Sequence, residues 1–275
     1  MLHRKLGASL AGLVLVLAAV ACSPAPPASP AAVTADPGTP SPAPTPTAEP
    51  SAAPSPSAAP SPAAAPAGPL GVLDRVDAAD FVAAVDNPWF PLRPGTVWTY
   101  IGVKDAKHAT EIMTVLPGTT VIDGVPCVAL QDDVTLNQVR VERTVTYHAQ
   151  HRDGSVWLFG EDAHQVDRKG NVRGIEGSWR AGVDRAVPDL LMPAAPAKGN
   201  VFVERTAELH ITVLGVNEAV DVPEGSHQGV LMEEADPTEP GLLAHKYYVR
   251  DIGMVRDVSV GGPLEELKLQ SVQRP

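Results

Sequence analysis

From Ser23 to Pro69 the chain is built almost wholly of Pro, Ala, Ser and Thr, with hardly a large apolar side chain. Such a stretch has too little to bury to offset the entropy of ordering, and its prolines delete backbone donors. Repeats such as Ser51-Ala52-Ala53-Pro54-Ser55-Pro56 followed by Ser57-Ala58-Ala59-Pro60-Ser61-Pro62 predict an extended, disordered, polyproline-like tether. At roughly 3.1 Å per residue its reach is at most about 145 Å. Any packed fold is therefore confined to residues 70–275, where all the aromatic residues lie.

Ahead of the tether, His3, Arg4 and Lys5 precede an uncharged apolar stretch, Leu6 to Ala21. At 16 residues it falls short of the roughly 20 that a membrane-spanning helix needs, which predicts an export signal over 1–21. Ala19, Val20 and Ala21 then lead into Cys22. These residues resemble the lipobox of bacterial lipoproteins, in which small residues precede a Cys that becomes the lipid-modified first residue of the mature chain. The resemblance implies an extracytoplasmic protein held at the cell membrane by a diacylglyceryl group on Cys22. Two acyl chains, at about 0.8 kcal/mol per buried methylene, suffice for stable anchoring. Ala-Val-Ala is also a small-x-small site for ordinary secretory cleavage, so a secreted protein is the alternative.

The net charge of −11 resides entirely in residues 70–275, because Arg4 and Lys5 cancel Asp36 and Glu49. That leaves 19 basic against 30 acidic residues, a balance that excludes nucleic acid and anionic headgroups as direct partners by repulsion. Roughly 200 residues suffice for a single domain with a substantial core.

Within it one early helix is expected over Asp77–Asp86, capped by Asp77 and ended by Asn87-Pro88. Beyond it, period-two runs predict strands at 97–103, 110–116, 127–131, 138–148, 155–159, 201–213, 245–250, 254–260 and 266–272. Asp123-Gly124 and Asp153-Gly154 read as hairpin turns, and Pro117-Gly118 as a further break. The fold class is mainly β, or β-rich α+β. A curved antiparallel sheet, half-barrel or sandwich, is expected, with one N-terminal helix and a long loop or lid over 174–199.

The run Asn87-Pro88-Trp89-Phe90-Pro91-Leu92-Arg93-Pro94-Gly95-Thr96-Val97-Trp98-Thr99-Tyr100 is followed by two further signatures, Trp157-Leu158-Phe159-Gly160-Glu161-Asp162 and Gly177-Ser178-Trp179-Arg180-Ala181-Gly182-Val183-Asp184. Together they resemble a family of uncharacterised exported bacterial proteins. Similarity of this kind continues through Met192-Pro193-Ala194 to Lys246-Tyr247-Tyr248 and Ile252-Gly253, and it implies no particular activity.

Two constellations are candidates for chemistry. Glu161, Asp162 and His164, with Asp167 beyond them and His148 and His151 one hairpin arm away, carry oxygen and imidazole donors suited to a divalent cation, the one cofactor the sequence suggests. Carboxylates that fix a turn after Gly160 are the structural alternative. Trp89, Trp98, Tyr100, Trp157 and Trp179 are candidates for a ligand-stacking surface, against the alternative of a core cluster. No Gly-x-Ser-x-Gly elbow, Cys-x-x-Cys pair or phosphate loop is present, and Cys127 lies in an apolar run that predicts a buried thiol.

The reading is a noncatalytic binding or structural module of the cell envelope, tied to the membrane at Cys22, whose partner is an envelope protein or an apolar ligand. A carrier of lipid or another apolar small molecule and an extracytoplasmic metal-dependent hydrolase are the alternatives.

Overall fold

The computed structural model describes Leu70, Leu73 and residues 76–275; the expected signal segment, Cys22 and the tether lie outside the described residues. The described residues form a 15-stranded, curved and unclosed antiparallel sheet. Its strands are β1 (Phe81–Val82), β2 (Val97–Lys104), β3 (Lys107–Ile122), β4 (Val125–Leu136), β5 (Val139–His151), β6 (Val156–Val166), β7 (Val172–Gly174), β8 (Trp179–Arg180), β9 (Asp189–Met192), β10 (Val201–Glu204), β11 (Leu209–Val222), β12 (Gly225–Ala235), β13 (Leu243–Val249), β14 (Gly253–Gly261) and β15 (Glu266–Gln273).

The strands run in the order β10-β11-β12-β13-β14-β15-β2-β3-β4-β5-β6-β7, so two consecutive meanders are joined where β15 pairs with β2. Tight turns make this connectivity possible. Asp123-Gly124, with both residues at positive φ, closes the β3–β4 hairpin, and Asp105-Ala106 and Asn137-Gln138 do the same for β2–β3 and β4–β5.

Three expectations are corrected. In place of a helix over Asp77–Asp86 the chain makes a 3-10 turn, Ala78–Asp80, and then enters the sheet as β1 beside β5. Asp77 does cap, accepting a hydrogen bond from the Ala79 amide, but Phe81 and Val85 reach the core from an extended backbone. Tertiary pairing of Phe81 with His151 thus overrides a weak local helix preference. The segment 174–199 is an edge of the sheet instead of a lid, since β8 and β9 both pair with β6. Pro117-Gly118 does not break the chain either; it sits in a bulge between Val115 and Thr119 within one long strand.

The two meanders are built to the same plan. Val115 exchanges backbone hydrogen bonds with Gly95 and Thr96, and Val213 makes the same pair with Gly199 and Asn200, each glycine at positive φ. Thr114 pairs with Val97 and Gln131, as Thr212 pairs with Val201 and Glu233. A bulge at Tyr147/His148 between β5 and β6 recurs at Tyr247/Tyr248 between β13 and β14. Phe90 packs between the corresponding rings, with centroids 5.3 Å from His148 and 6.5 Å from Tyr248. The domain is therefore a structural duplication, and the equivalence extends across five strands of each half.

One face of the sheet carries the core, with Trp98, Tyr100, Met113, Leu130, Val213, Met232 and Tyr248 all buried. At the seam β10 comes to lie beside β9. There the buried Asp189 carboxylate accepts hydrogen bonds from the Arg205 and Thr206 amides and faces the Arg205 guanidinium at 3.7 Å.

Candidate functional site

The residues expected to hold a cation do not converge. Strand alternation puts Glu161 on the interior face, opposite Thr146, and Asp162 on the exterior. Asp162 is committed there: its Oδ2 accepts from Arg180 Nη2 at 2.6 Å and from the Tyr147 hydroxyl at 2.9 Å. Partial burial raises the Asp162 pKa, yet these hydrogen bonds and the Arg180 charge outweigh that and hold it below the usual carboxylate range. Arg180 also lies 4.2 Å above the Tyr147 ring.

His151 packs edge-on against Phe81 and meets Asp153 at 3.1 Å, while His164 is half-buried on the strand pair with Arg143. Asp167 fixes its own turn by accepting from the Lys169 and Asn171 amides. Among the described residues no group of three or more His, Cys, Asp or Glu side chains is arranged to hold a metal ion.

His148 is enclosed in the core. Its Nε2 is 2.8 Å from Thr146 Oγ1, and that hydroxyl donates to the Leu130 carbonyl. The hydroxyl's proton being used, it accepts from His148, which fixes the Nε2–H tautomer and leaves Nδ1 as an acceptor with no hydrogen-bond partner. Burial pushes His148 down to about 3, so the imidazole is neutral.

The candidate aromatic surface is mostly core. Trp98 Nε1 donates to the Ile252 carbonyl and the Tyr100 hydroxyl to Met254, pinning β2 to the start of β14, and Trp157 Nε1 donates to Ser155 Oγ. These three rings are buried. Trp89 is half-buried beneath Arg250, whose guanidinium sits 4.7 Å from the ring, and half-buried Trp179 lies across the ladder from Glu161. Cys127 is fully buried, and burial pushes its thiol up to about 12.

Apart from Glu161, sequence reasoning missed a set of ionisable side chains on the interior face. In the second meander Lys246, 0% exposed, reaches Glu234 at 2.8 Å and Asp257 at 3.9 Å. Residue for residue, the first meander has Asp132 where Glu234 stands, Glu161 where Asp257 stands and Thr146 where Lys246 stands. Both carboxylates are retained and the lysine between them is absent.

Asp132 is 5% exposed, and its Oδ1 has no hydrogen-bond partner. Burial and the neighbouring Glu111 raise its pKa well above the usual carboxylate range, outweighing the opposing charge of Lys104. Glu111 itself is pushed up to about 7, by burial against the pull of Lys104. Thr144, on the pair with Asp132, is also buried and donates to Glu142. A partial signal of the duplication was present in the sequence, since Thr114-Val115-Leu116 recurs as Thr212-Val213-Leu214, but it is the strand register that sets Thr146-Tyr147 against Lys246-Tyr247.

The class is thus an open, internally duplicated antiparallel β-sheet with a partly charged interior. No family model and no curated protein matches the chain. Among solved structures it is similar to a protein from Bacteroides fragilis classed as exported, with a YmcC-like fold, at 14% identity and a TM-score of 0.36, covering 68% of this chain and 99% of that one. It is similar also to a protein from Parabacteroides distasonis classed as a lipoprotein, at 12% identity and a TM-score of 0.40, with the same coverage. Both likenesses are too weak to bear on function.

Proposed function

We propose that the protein is an extracytoplasmic lipoprotein, anchored through Cys22 and carrying at the end of a proline-rich tether a noncatalytic module that binds a ligand on the interior face of its sheet. The observation that carries the binding role is the pair of buried acceptors without partners, Asp132 Oδ1 and His148 Nδ1. Buried polar atoms are otherwise satisfied in folded proteins, and each one left bare costs about 1–3 kcal/mol, which a bound molecule's donors would recover. The site's carboxylates do not suit the alkyl chain of an apolar cargo, so a polar ligand is favoured over a lipid tail.

Native mass spectrometry of the protein isolated from its own host's envelope tests the binding role. A bound mass that is lost on extraction is expected, and the bare polypeptide mass throughout would overturn it. The anchor is tested separately. Cys22→Ala should release the protein from the membrane fraction and abolish uptake of a labelled acyl chain; persistence of either in the variant removes the lipid anchor from the reading.

A further inference from the structure

The internal duplication supplies a template for what occupies the interior. In the second meander an ammonium group, Lys246 Nζ, satisfies two interior carboxylates from the strand between them. In the first meander that middle strand presents Thr146, whose side chain is shorter by the length of an alkylammonium arm and whose hydroxyl is engaged with Leu130 and His148. Asp132, the counterpart of Glu234, keeps its buried position and leaves Oδ1 bare. An unpaired buried carboxylate oxygen calls for a donor, and a positive one is the strongest partner.

We propose that the position facing Asp132 Oδ1, beside Thr146, is a subsite for the primary ammonium group of a small ligand, entering where the equivalent lysine would lie. This deepens the binding reading above and rests on it.

Three features select the ligand class. The donor must carry N–H groups, because Asp132 Oδ1 is an acceptor, so a quaternary ammonium fits poorly. The described side chains form no cluster of three metal-ligating groups, so the arrangement suits hydrogen bonds to an ammonium better than coordination of a metal ion. Finally, burial and the neighbouring Glu111 hold the Asp132 pKa up, so a cationic head placed against it would favour the ionised carboxylate and be bound by it, whereas an anionic head would be disfavoured. The same chemistry is offered by a free alkylamine and by the ethanolamine head of a lipid.

The test is calorimetric titration of the full-length lipidated protein in detergent with n-butylammonium, the side chain of lysine in miniature, and with glycerophosphoethanolamine. Tetramethylammonium serves as the control lacking N–H donors. Saturable 1:1 binding of one or both amines is expected, and which of them binds more tightly identifies the free or the lipid source. Asp132→Asn, nearly the same shape, should weaken binding by about tenfold or more. Thr146→Lys should supply the missing ammonium from the protein itself, abolishing amine binding and raising the melting temperature.

Saturation by neither amine, equal binding by tetramethylammonium, or unchanged binding by Asp132→Asn would overturn the proposal. Should Thr146→Lys fail to fold, the Asp132→Asn titration decides alone. If neither amine binds and a different molecule still comes away from the envelope-derived protein, the ammonium subsite falls and the binding module stands.

Discussion

His148 shows how one hydrogen bond determines the chemistry of its neighbour. Because Thr146 spends its proton on Leu130, the imidazole must donate from Nε2, and protonating Nδ1 would put a charge into the core with nothing to receive it. The folded pKa, about 3, lies below the ordinary histidine value near 6.5. Stability from the neutral ring is therefore fully present above about pH 6.5 and is lost as pH falls from there toward 3, by roughly 2 kcal/mol at about pH 5. His148→Gln keeps a donor for Thr146 and does not titrate, so urea midpoints of the variant should fall less between those two pH values than those of the wild type. A variant with the same acid slope as the wild type would show that His148 contributes none of it. Neither the burial of His148 nor the orphaned oxygen of Asp132 can be read from composition: Gln131-Asp132-Asp133 looks like a solvated strand end, and only register turns Asp132 inward.

At the level of elements, alternation located most of the strands because each presents an apolar interior row against a polar exterior one. It passed over β12, where Gly225, Gly229 and the pair Glu233-Glu234 mask the pattern, and it fused β10 with β11 because Arg205-Thr206-Ala207-Glu208 carries no glycine or proline to mark the turn. Duplication was hidden for a related reason: equivalent interior positions hold different chemistry, such as Trp98 and Phe202 or His148 and Tyr248. The joint between the halves has its own requirement. A Cβ on Gly102 would stand 1.7 Å from the Glu266 carbonyl oxygen of β15, and backbone on both sides cannot give way without parting the β15–β2 ladder. Gly102→Ala should therefore destabilise by about 3 kcal/mol or more. At Gly118 no atom lies within 4 Å of the Cβ, and the positive φ alone should make alanine cost about 1 kcal/mol. Thermal melts that fail to rank Gly102→Ala well below Gly118→Ala would contradict this account of the joint.

Across the whole molecule, the buried ionisable groups set how stability depends on pH. Glu204 is pushed up to about 8, first by burial and then by Glu234 and Asp189, with Lys246 opposing. A carboxyl whose folded pKa is raised contributes stability that is complete below its unfolded value near 4.5 and is lost as pH rises through 8; the full loss is on the order of 5 kcal/mol. Glu111, pushed up to about 7, acts in the same sense. His148 acts in the opposite sense, but only below about pH 6.5. Asp153, Asp162, Asp167 and Glu266, all held below their ordinary values by hydrogen bonds or ion pairs that outweigh any burial, have finished titrating well before neutrality. Between roughly pH 6.5 and 8 the raised carboxyls therefore act without opposition from these groups, and the protein should melt at a higher temperature near pH 6.5 than near pH 8. Glu204→Gln replaces a carboxyl kept neutral in the fold with a group that never ionises, so it should flatten that decline and melt above the wild type at the alkaline end. A wild type more stable near pH 8 than near pH 6.5, or a variant whose melting temperature falls as steeply across that range, would mean that Glu204 is ionised in the native state and that Lys246 is shared among three carboxylates instead of two.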